Sequence, residues 1–319
     1  MSLLLRPLRS AAFFDLDGTL LPGPALEMRF YRVLRYRGEI GARQMLSWLA
    51  EAARLAPRGM FALRHGNKMY LRGVRADAAT AFRGMLFQAN PECGEEAGRA
   101  SRAGAAAGAT FFPAGLERMV WHARQGHALV LVSGTLQPLA MLAARALDAE
   151  LRARGCATMV HVRGTRLEEA GGRWTGRLAD EALAGAAKAR AVQGIAEREG
   201  YALEECYAYG NSSEDRWMLE AVGRPVAVNP ARKLALRARR EGWPILRWER
   251  EAERRRGGEA AGQSERTMRR VPKRAGGGDA AAGGPRSAPT EGSLVREAGQ
   301  GVCREKREGG RAGGSRTCE

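Results

Sequence analysis

Six short apolar runs punctuate the first 249 positions: AAFF at 11–14, ALVLV at 128–132, TMVHV at 158–162, CYAYG at 206–210, PVAV at 225–228 and PILRW at 244–248. Most are apolar at consecutive rather than alternate positions, the pattern of strands covered on both faces. Helical periodicity fills several of the intervals. Leu116, Met119, Val120 and Ala123 share one face before the second run, and a later helix begins near Lys188 and carries Val192 and Ile195. Strands alternating with helices predict an α/β fold, a doubly wound and mostly parallel sheet with helices on both faces. Functional residues then belong beyond the carboxyl ends of the strands.

Residues 24–110 interrupt this alternation. Met45, Leu46, Trp48, Leu49, Ala52, Ala53 and Leu55 make one apolar helical stripe, and the small-residue stretch GRASRAGAAAGA at 98–109 closes the segment. It reads as a helical cap inserted after the first strand, either a lid that excludes water or an inert bundle. EEAGGRWTG at 168–176, flanked by Thr165 and Leu178, predicts a β-hairpin on the sheet edge. After Trp248 and Glu249 the chain turns to Gly, Ala, Arg, Glu, Ser and Pro, a composition that buries too little surface to offset its ordering entropy. The expected organisation is a catalytic core of 1–23 and 111–249, a cap of 24–110, and a disordered basic tail of 250–319.

Charge and composition narrow the class. With 45% hydrophobic and 27% charged residues, the chain has ordinary enzyme composition. No apolar stretch approaches the roughly 20 residues of a membrane span, and the N-terminus lacks a secretory pattern, so the reading is cytoplasmic with no membrane partner. The formal charge of +17 raises nucleic acid as a partner. Yet the tail holds 16 Lys+Arg against 10 Asp+Glu, so the excess is spread over the chain, and no aromatics interleave with RTMRRVPKR. Nucleic acid is not expected. Five scattered cysteines suit free thiols, and four histidines without metal-site spacing suit core or solvated positions. Arg29, Arg32 and Arg35, three apart, form a basic helix face that is either solvated or turned toward an anionic substrate.

The chemistry concentrates at strand ends. FFDLDGTLL sets Asp15 and Asp17 just past the first strand, two carboxylates on one side of an extended chain, with Thr19 following the glycine turn. LVLVSGTLQPLA places Ser133, with the Gly134 and Thr135 amides, after the second strand and ahead of a helix, where phosphate oxygens bind well. Lys188 heads the helix in AAKARAV. CYAYGNSSEDRWML follows another strand with Asn211 and Asp215 four apart.

Together these four motifs resemble those of haloacid dehalogenase-type phosphatases, over about residues 11–249, in the phosphoserine-phosphatase-like subgroup. The resemblance implies Asp15 as a nucleophile that becomes phosphorylated and Asp17 as general acid and then base. It implies Thr19, Ser133, Gly134 and Lys188 around the phosphate, and Mg²⁺ held by Asp15, the Asp17 carbonyl, Asn211 and Asp215. The substrate expected is a phosphomonoester of a small metabolite. Two positions depart from the family pattern. Asn211 stands where most members have Asp, lowering the charge at the metal. Pro24 stands where phosphoserine phosphatases carry a Glu that reads the substrate ammonium, which argues against phosphoserine. Two alternatives are a phosphotransferase or mutase using the same intermediate, and a non-catalytic, nucleic-acid-associated protein.

Overall fold

The computed structural model describes residues 10–81, 83–86 and 111–249. The tail of 250–319 and the small-residue stretch of 98–109 lie outside the described residues. The first strand, β1 (Ala11–Phe14), is only four residues long and fully buried. Ala12 and Phe14 point to one face, Ala11 and Phe13 to the other, so each face of the sheet receives its own hydrophobic core.

Parallel pairing continues outward from β1 on both sides. β2 (Ala128–Leu136) and then β3 (Val160–Thr165) lie on one side. The strands β6 (Tyr207–Gly210), β7 (Arg224–Val228) and β8 (Ile245–Leu246) lie on the other, giving the order β3-β2-β1-β6-β7-β8. Parallel neighbours need crossovers, and these supply the helices. On the Phe14 face pack α6 (Pro113–Arg124), through Leu116 and Met119, and α7 (Gln137–Ala153), through Leu139, Leu142 and Leu147. On the Phe13 face pack α8 (Ala186–Glu199), α9 (Arg216–Glu220) and α10 (Arg232–Arg240), through Val192, Met218 and Leu234. The sheet is therefore doubly wound, as the sequence predicts, and β1 sits at the point where strand order reverses.

Between β1 and β2 the chain forms the helical cap: α1 (Leu26–Tyr36), α2 (Ala42–Leu55), α3 (Met60–Gly66), and the single turns α4 (Ala78–Ala81) and α5 (Arg83–Leu86). Leu26, Phe30, Val33 and Leu34 of α1 recur at helical spacing and join the core cluster on the Phe14 face.

Three sequence expectations change. The hairpin of β4 (Leu167–Ala170) and β5 (Arg173–Leu178) forms a separate two-stranded sheet instead of extending the main one. Its partner is the cap: the Gly73 amide donates to the Trp174 carbonyl at 2.8 Å, the Trp174 amide donates to Val74 at 2.9 Å, and Trp174 meets Phe30 edge-on. Burying Trp174 against the cap wins over lengthening an edge. Second, β2 runs past Val132 to Leu136, with a register shift against β3 between those residues, so Ser133 lies within an irregular strand end and the helix begins only at Gln137. Third, Arg29 is buried, and its guanidinium donates to the Pro22 and Pro24 carbonyls at 2.5 and 3.1 Å. It ties down the loop entering α1, while Arg32 and Arg35 remain exposed.

Cys156 and Cys206 are free and buried. Among the described residues no helix is long and apolar enough to cross a membrane.

Candidate active site

The carboxyl end of β1 carries Asp15, whose amide donates to the Tyr209 carbonyl of β6 at 2.9 Å and so continues the sheet ladder. A tight turn follows, in which the Leu20 and Leu21 amides return to the Leu16 carbonyl at 2.9 and 2.8 Å. Gly18 adopts φ of 81°, a region costly for other residues, and a Cβ there would lie 2.0 Å from Asn211 Nδ2. Gly210, the last residue of β6, is as tightly placed: its Cβ would fall 2.4 Å from Asp215 Cβ. The bare Gly18 thus lets the loop after β6 close on the turn after β1, and the bare Gly210 lets that loop fold back on its own strand end.

Asp15, Lys188 and Asp215 converge there, 5, 4 and 1% exposed respectively. Lys188 Nζ donates to Asp15 Oδ1 and to Asp215 Oδ1, both at 2.6 Å. Thr19 Oγ1 donates to Asp15 Oδ2 at 3.1 Å. Asp215 Oδ2 accepts from the Asn211 and Ser212 amides and from the Ser212 hydroxyl, at 3.1, 2.8 and 2.8 Å. These partners set the charges. Burial and the neighbouring Asp215 push Asp15 up to about 7, against the pull of Lys188. Burial also acts on Asp215, but Lys188 and Ser212 outweigh it and hold that carboxyl below the usual range. For Lys188, burial opposes the charge, and the two carboxylates more than restore it.

Asp17 is held by groups from two other elements. Thr135 Oγ1 donates to its Oδ2 at 2.5 Å, and the Leu26 amide, in the first turn of α1, donates to its Oδ1 at 2.8 Å. Burial raises its pKa in spite of these two donors. Sequence reasoning used only the amide of Thr135 and overlooked its hydroxyl; its place two residues after Ser133, on one strand end, was the available signal. Ser133 is buried and accepts from the Thr135 amide at 3.2 Å, while the Gly134 carbonyl is taken by the Thr165 hydroxyl at 2.8 Å.

Asp15, Asp17, Ser133, Gly134, Lys188 and Asn211 line one cavity of about 1020 Å³, roofed by Tyr31, Met45, Trp48 and Lys68 of the cap. Thr19 and Asp215 stand behind its lining, in contact with Asp15 and Lys188. The cap also brings Glu27, whose Oε1 receives Lys68 Nζ and the Tyr70 hydroxyl, both at 2.5 Å. No local spacing joins residues 41 and 43 apart, so this group left no mark in the sequence. His65 Nε2 of α3 lies 3.0 Å from Glu214 Oε2, in the loop after β6, without the alignment of a hydrogen bond.

Among the described residues no group of three or more His, Cys, Asp or Glu side chains is arranged to hold a metal. A divalent ion would rest on the Asp15 and Asp215 carboxylates, the Asn211 amide oxygen and the Asp17 carbonyl. That donor set is entirely hard oxygen, which fits Mg²⁺, and the Lys188 ammonium already bridges the two carboxylates as a cation.

A family model for haloacid dehalogenase-like hydrolases matches residues 12–220, the span that holds every one of these side chains. The chain belongs to that family. Phosphoserine phosphatase SerB1 of Mycobacterium tuberculosis is 32% identical over 247 residues, covering 75% of this chain and 70% of its own. A Mycobacterium leprae protein named only as a hydrolase, ML2424, is 31% identical over 247 residues, covering 75% and 72%. This haloacid dehalogenase-like hydrolase is thus similar to phosphatases of the phosphoserine-phosphatase-like subgroup, and the enzyme class read from its motifs, a phosphatase, stands. Among solved structures, a Bordetella pertussis protein of unknown function aligns at a TM-score of 0.49 and 24% identity, over 75% of this chain and 98% of that one.

Proposed function

We propose that this hydrolase is a Mg²⁺-dependent phosphatase that cleaves the phosphomonoester of a small metabolite through a phosphorylated Asp15. The observation carrying the reading is the pairing of two buried carboxyls in one cavity with different partners: Asp15 bonded to the buried Lys188 ammonium, Asp17 to the neutral Thr135 hydroxyl and Leu26 amide. Asp15 attacks phosphorus as the bond to the leaving oxygen breaks, and Asp17 delivers its proton to that oxygen. Asp17, now a carboxylate, takes a proton from water as the water attacks the acyl phosphate; inorganic phosphate leaves and Asp15 is restored. Lys188, the Ser133 hydroxyl and the nearby amides of Gly134 and Thr135 offset charge on the phosphoryl oxygens. Mg²⁺ held by Asp15, the Asp17 carbonyl, Asn211 and Asp215 would add positive charge beside the same oxygens.

In this reading residues 24–110 act as a cap that excludes water, and 250–319 lie outside the catalytic unit. The cavity wall of Met28, Met45, Trp48 and Met60 suits an alcohol with an apolar body. Glu27 favours a second possibility within the same chemistry. Among the described residues only its Oε1 is bonded, so Oε2 could take up a substrate amino group in the role that Pro24 cannot fill, as SerB1's name would suggest. A phosphomonoester panel with Mg²⁺ present separates these substrates, and added alcohols reveal any transfer to acceptors other than water. Asp15→Asn keeps shape and removes the nucleophile, so turnover of p-nitrophenyl phosphate should fall by several orders of magnitude. Near wild-type turnover in that variant would rule out the mechanism.

A further inference from the structure

At about 100° per residue, the apolar side chains of α2 sweep roughly 180° of its circumference, well beyond the stripe one packed face requires. Half of that arc faces inward: Leu55 is buried, and Met45 and Trp48 line the cavity. The other half is uncovered, with Leu46 and Leu49 65 and 54% exposed. The next helix extends it through Met60 and Phe61, 74 and 53% exposed. Met60 and the half-exposed Met28 also line the cavity, so this apolar surface reaches the cavity rim.

The same segment is strongly basic. Residues 26–81 contain 11 Lys+Arg against 4 Asp+Glu. Arg32, Arg35, Arg43, Arg58 and Arg72 are exposed and make no ion pair among the described residues. Arg43 precedes Leu46 by three positions on one helix side, and Arg58 stands two before Met60. An apolar stripe flanked by the exposed Arg43 and Arg58, in a segment rich in arginine, is the composition of a helix face that lies in the headgroup layer of an anionic bilayer. A second copy of the chain is disfavoured, because face-to-face pairing would bring two arginine-rich surfaces together.

We propose that the outer face of α2 and α3 docks this enzyme on anionic lipid surfaces, with the cavity mouth beside the bilayer. This contact is peripheral and needs no membrane-crossing helix. It departs from the composition-based expectation of no membrane partner, which rested on the lack of an apolar stretch long enough to span.

The test is co-sedimentation of the full-length protein with phosphatidylcholine vesicles and with vesicles containing 30% phosphatidylglycerol. Binding to the anionic vesicles is expected, weakening as salt rises. Leu46→Glu/Leu49→Glu should lower the partition by roughly tenfold or more, through lost apolar insertion and added repulsion. Arg43→Gln/Arg58→Gln should lower it more mildly without touching the stripe. None of these four side chains lines the cavity, so turnover of p-nitrophenyl phosphate in vesicle-free buffer should stay at wild-type level. Asp15→Asn should bind vesicles like wild type, which keeps the docking result separate from the phosphatase reading. Absence of binding to anionic vesicles overturns the proposal. Unchanged binding by both cap variants also overturns it, assigning the affinity to the basic tail. A dimer in solution that Leu46→Glu/Leu49→Glu dissolves overturns it in favour of self-association.

Discussion

Lys188 holds two buried carboxylates at once, so its removal is the sharpest test of how this site is kept together. Lys188→Met preserves most of the stem and deletes the charge. Asp15 and Asp215 would then face each other, 5 and 1% exposed, without the ammonium that sits 2.6 Å from each. Breaking a buried pair by deleting one partner costs about 3–5 kcal/mol, because the other charge stays buried. At about 2–4 °C per kcal/mol for a domain of this size, the thermal midpoint should fall by about 6–20 °C.

The pH dependence follows from Asp15. Burial and Asp215 already push it up to about 7, and losing Lys188 removes the pull that opposes them. The folded variant therefore takes up a proton there at higher pH than the unfolded chain, and that uptake relieves the repulsion. Its deficit relative to wild type should be larger at pH 8.5 than at pH 6. The assay is urea unfolding in EDTA of wild type, Lys188→Met, Asp15→Asn and the double variant at both pH values. Asp15→Asn removes one of the two stranded charges, so in the double variant the penalty for losing Lys188 should shrink by about 0.5–3 kcal/mol. A loss below about 1 kcal/mol in Lys188→Met, or strict additivity in the cycle, would refute the triad as an electrostatic unit. Saturating Mg²⁺ should recover part of the lost stability, by about 2.7 kcal/mol at a hundredfold excess over its Kd.

Other outcomes follow from neighbouring contacts. Thr135→Val deletes the hydroxyl that donates to Asp17 at 2.5 Å, a bond worth about 0.5–1.5 kcal/mol to the neutral acid that delivers the proton. Turnover of alkyl phosphates should drop by about twofold to tenfold, with a smaller loss on p-nitrophenyl phosphate, whose leaving group needs little protonation; equal losses on both would separate Thr135 from the acid step. Asn211→Asp adds a carboxylate at nearly constant volume, so the Mg²⁺ concentration for half-maximal activity should fall, and identical titrations would place Asn211 outside the coordination sphere. His122, buried and 2.8 Å from both Tyr209 Oη and His127 Nδ1, is driven down to about 3 by burial, then by His127 and Arg118. Its folded value lies below the 6.5 of a free imidazole, so the stability it contributes is full above pH 6.5 and is lost as pH falls toward 3. Between pH 6 and 4.5, urea unfolding of wild type should lose up to about 1.4 kcal/mol per pH unit more than His122→Gln, and parallel slopes would contradict the assignment.

Sequence information reached the site because each element of it is local. The four-residue apolar run of β1 fixes where a strand must end, and Asp15 and Asp17 follow at once; the same holds for Asn211 and Asp215 after CYAYG. Period and turn chemistry suffice for such placements, and the sheet order adds only that β1 and β6 are neighbours. What stayed hidden is long-range. The hairpin at 167–178 carries a strand pattern that suits a sheet edge, and nothing local tells it to pack Trp174 on Phe30 of the cap. Arg29 sits in register with Arg32 and Arg35, and only the fold reveals that the Pro22 and Pro24 carbonyls, in the loop before α1, take its guanidinium.

Thr135 connects the two levels. Its position after Ser133 is legible, whereas its bond to Asp17 depends on β2 continuing past Val132 with a shifted register. That irregularity turns a strand residue toward a carboxyl 118 positions away, and the Leu26 amide meets the same carboxyl from the start of the cap. The group assigned the proton transfer is therefore braced jointly by core and cap. Any movement of α1 that withdrew the Leu26 amide would leave Asp17 on Thr135 alone, so cap position and proton delivery are coupled through one side chain.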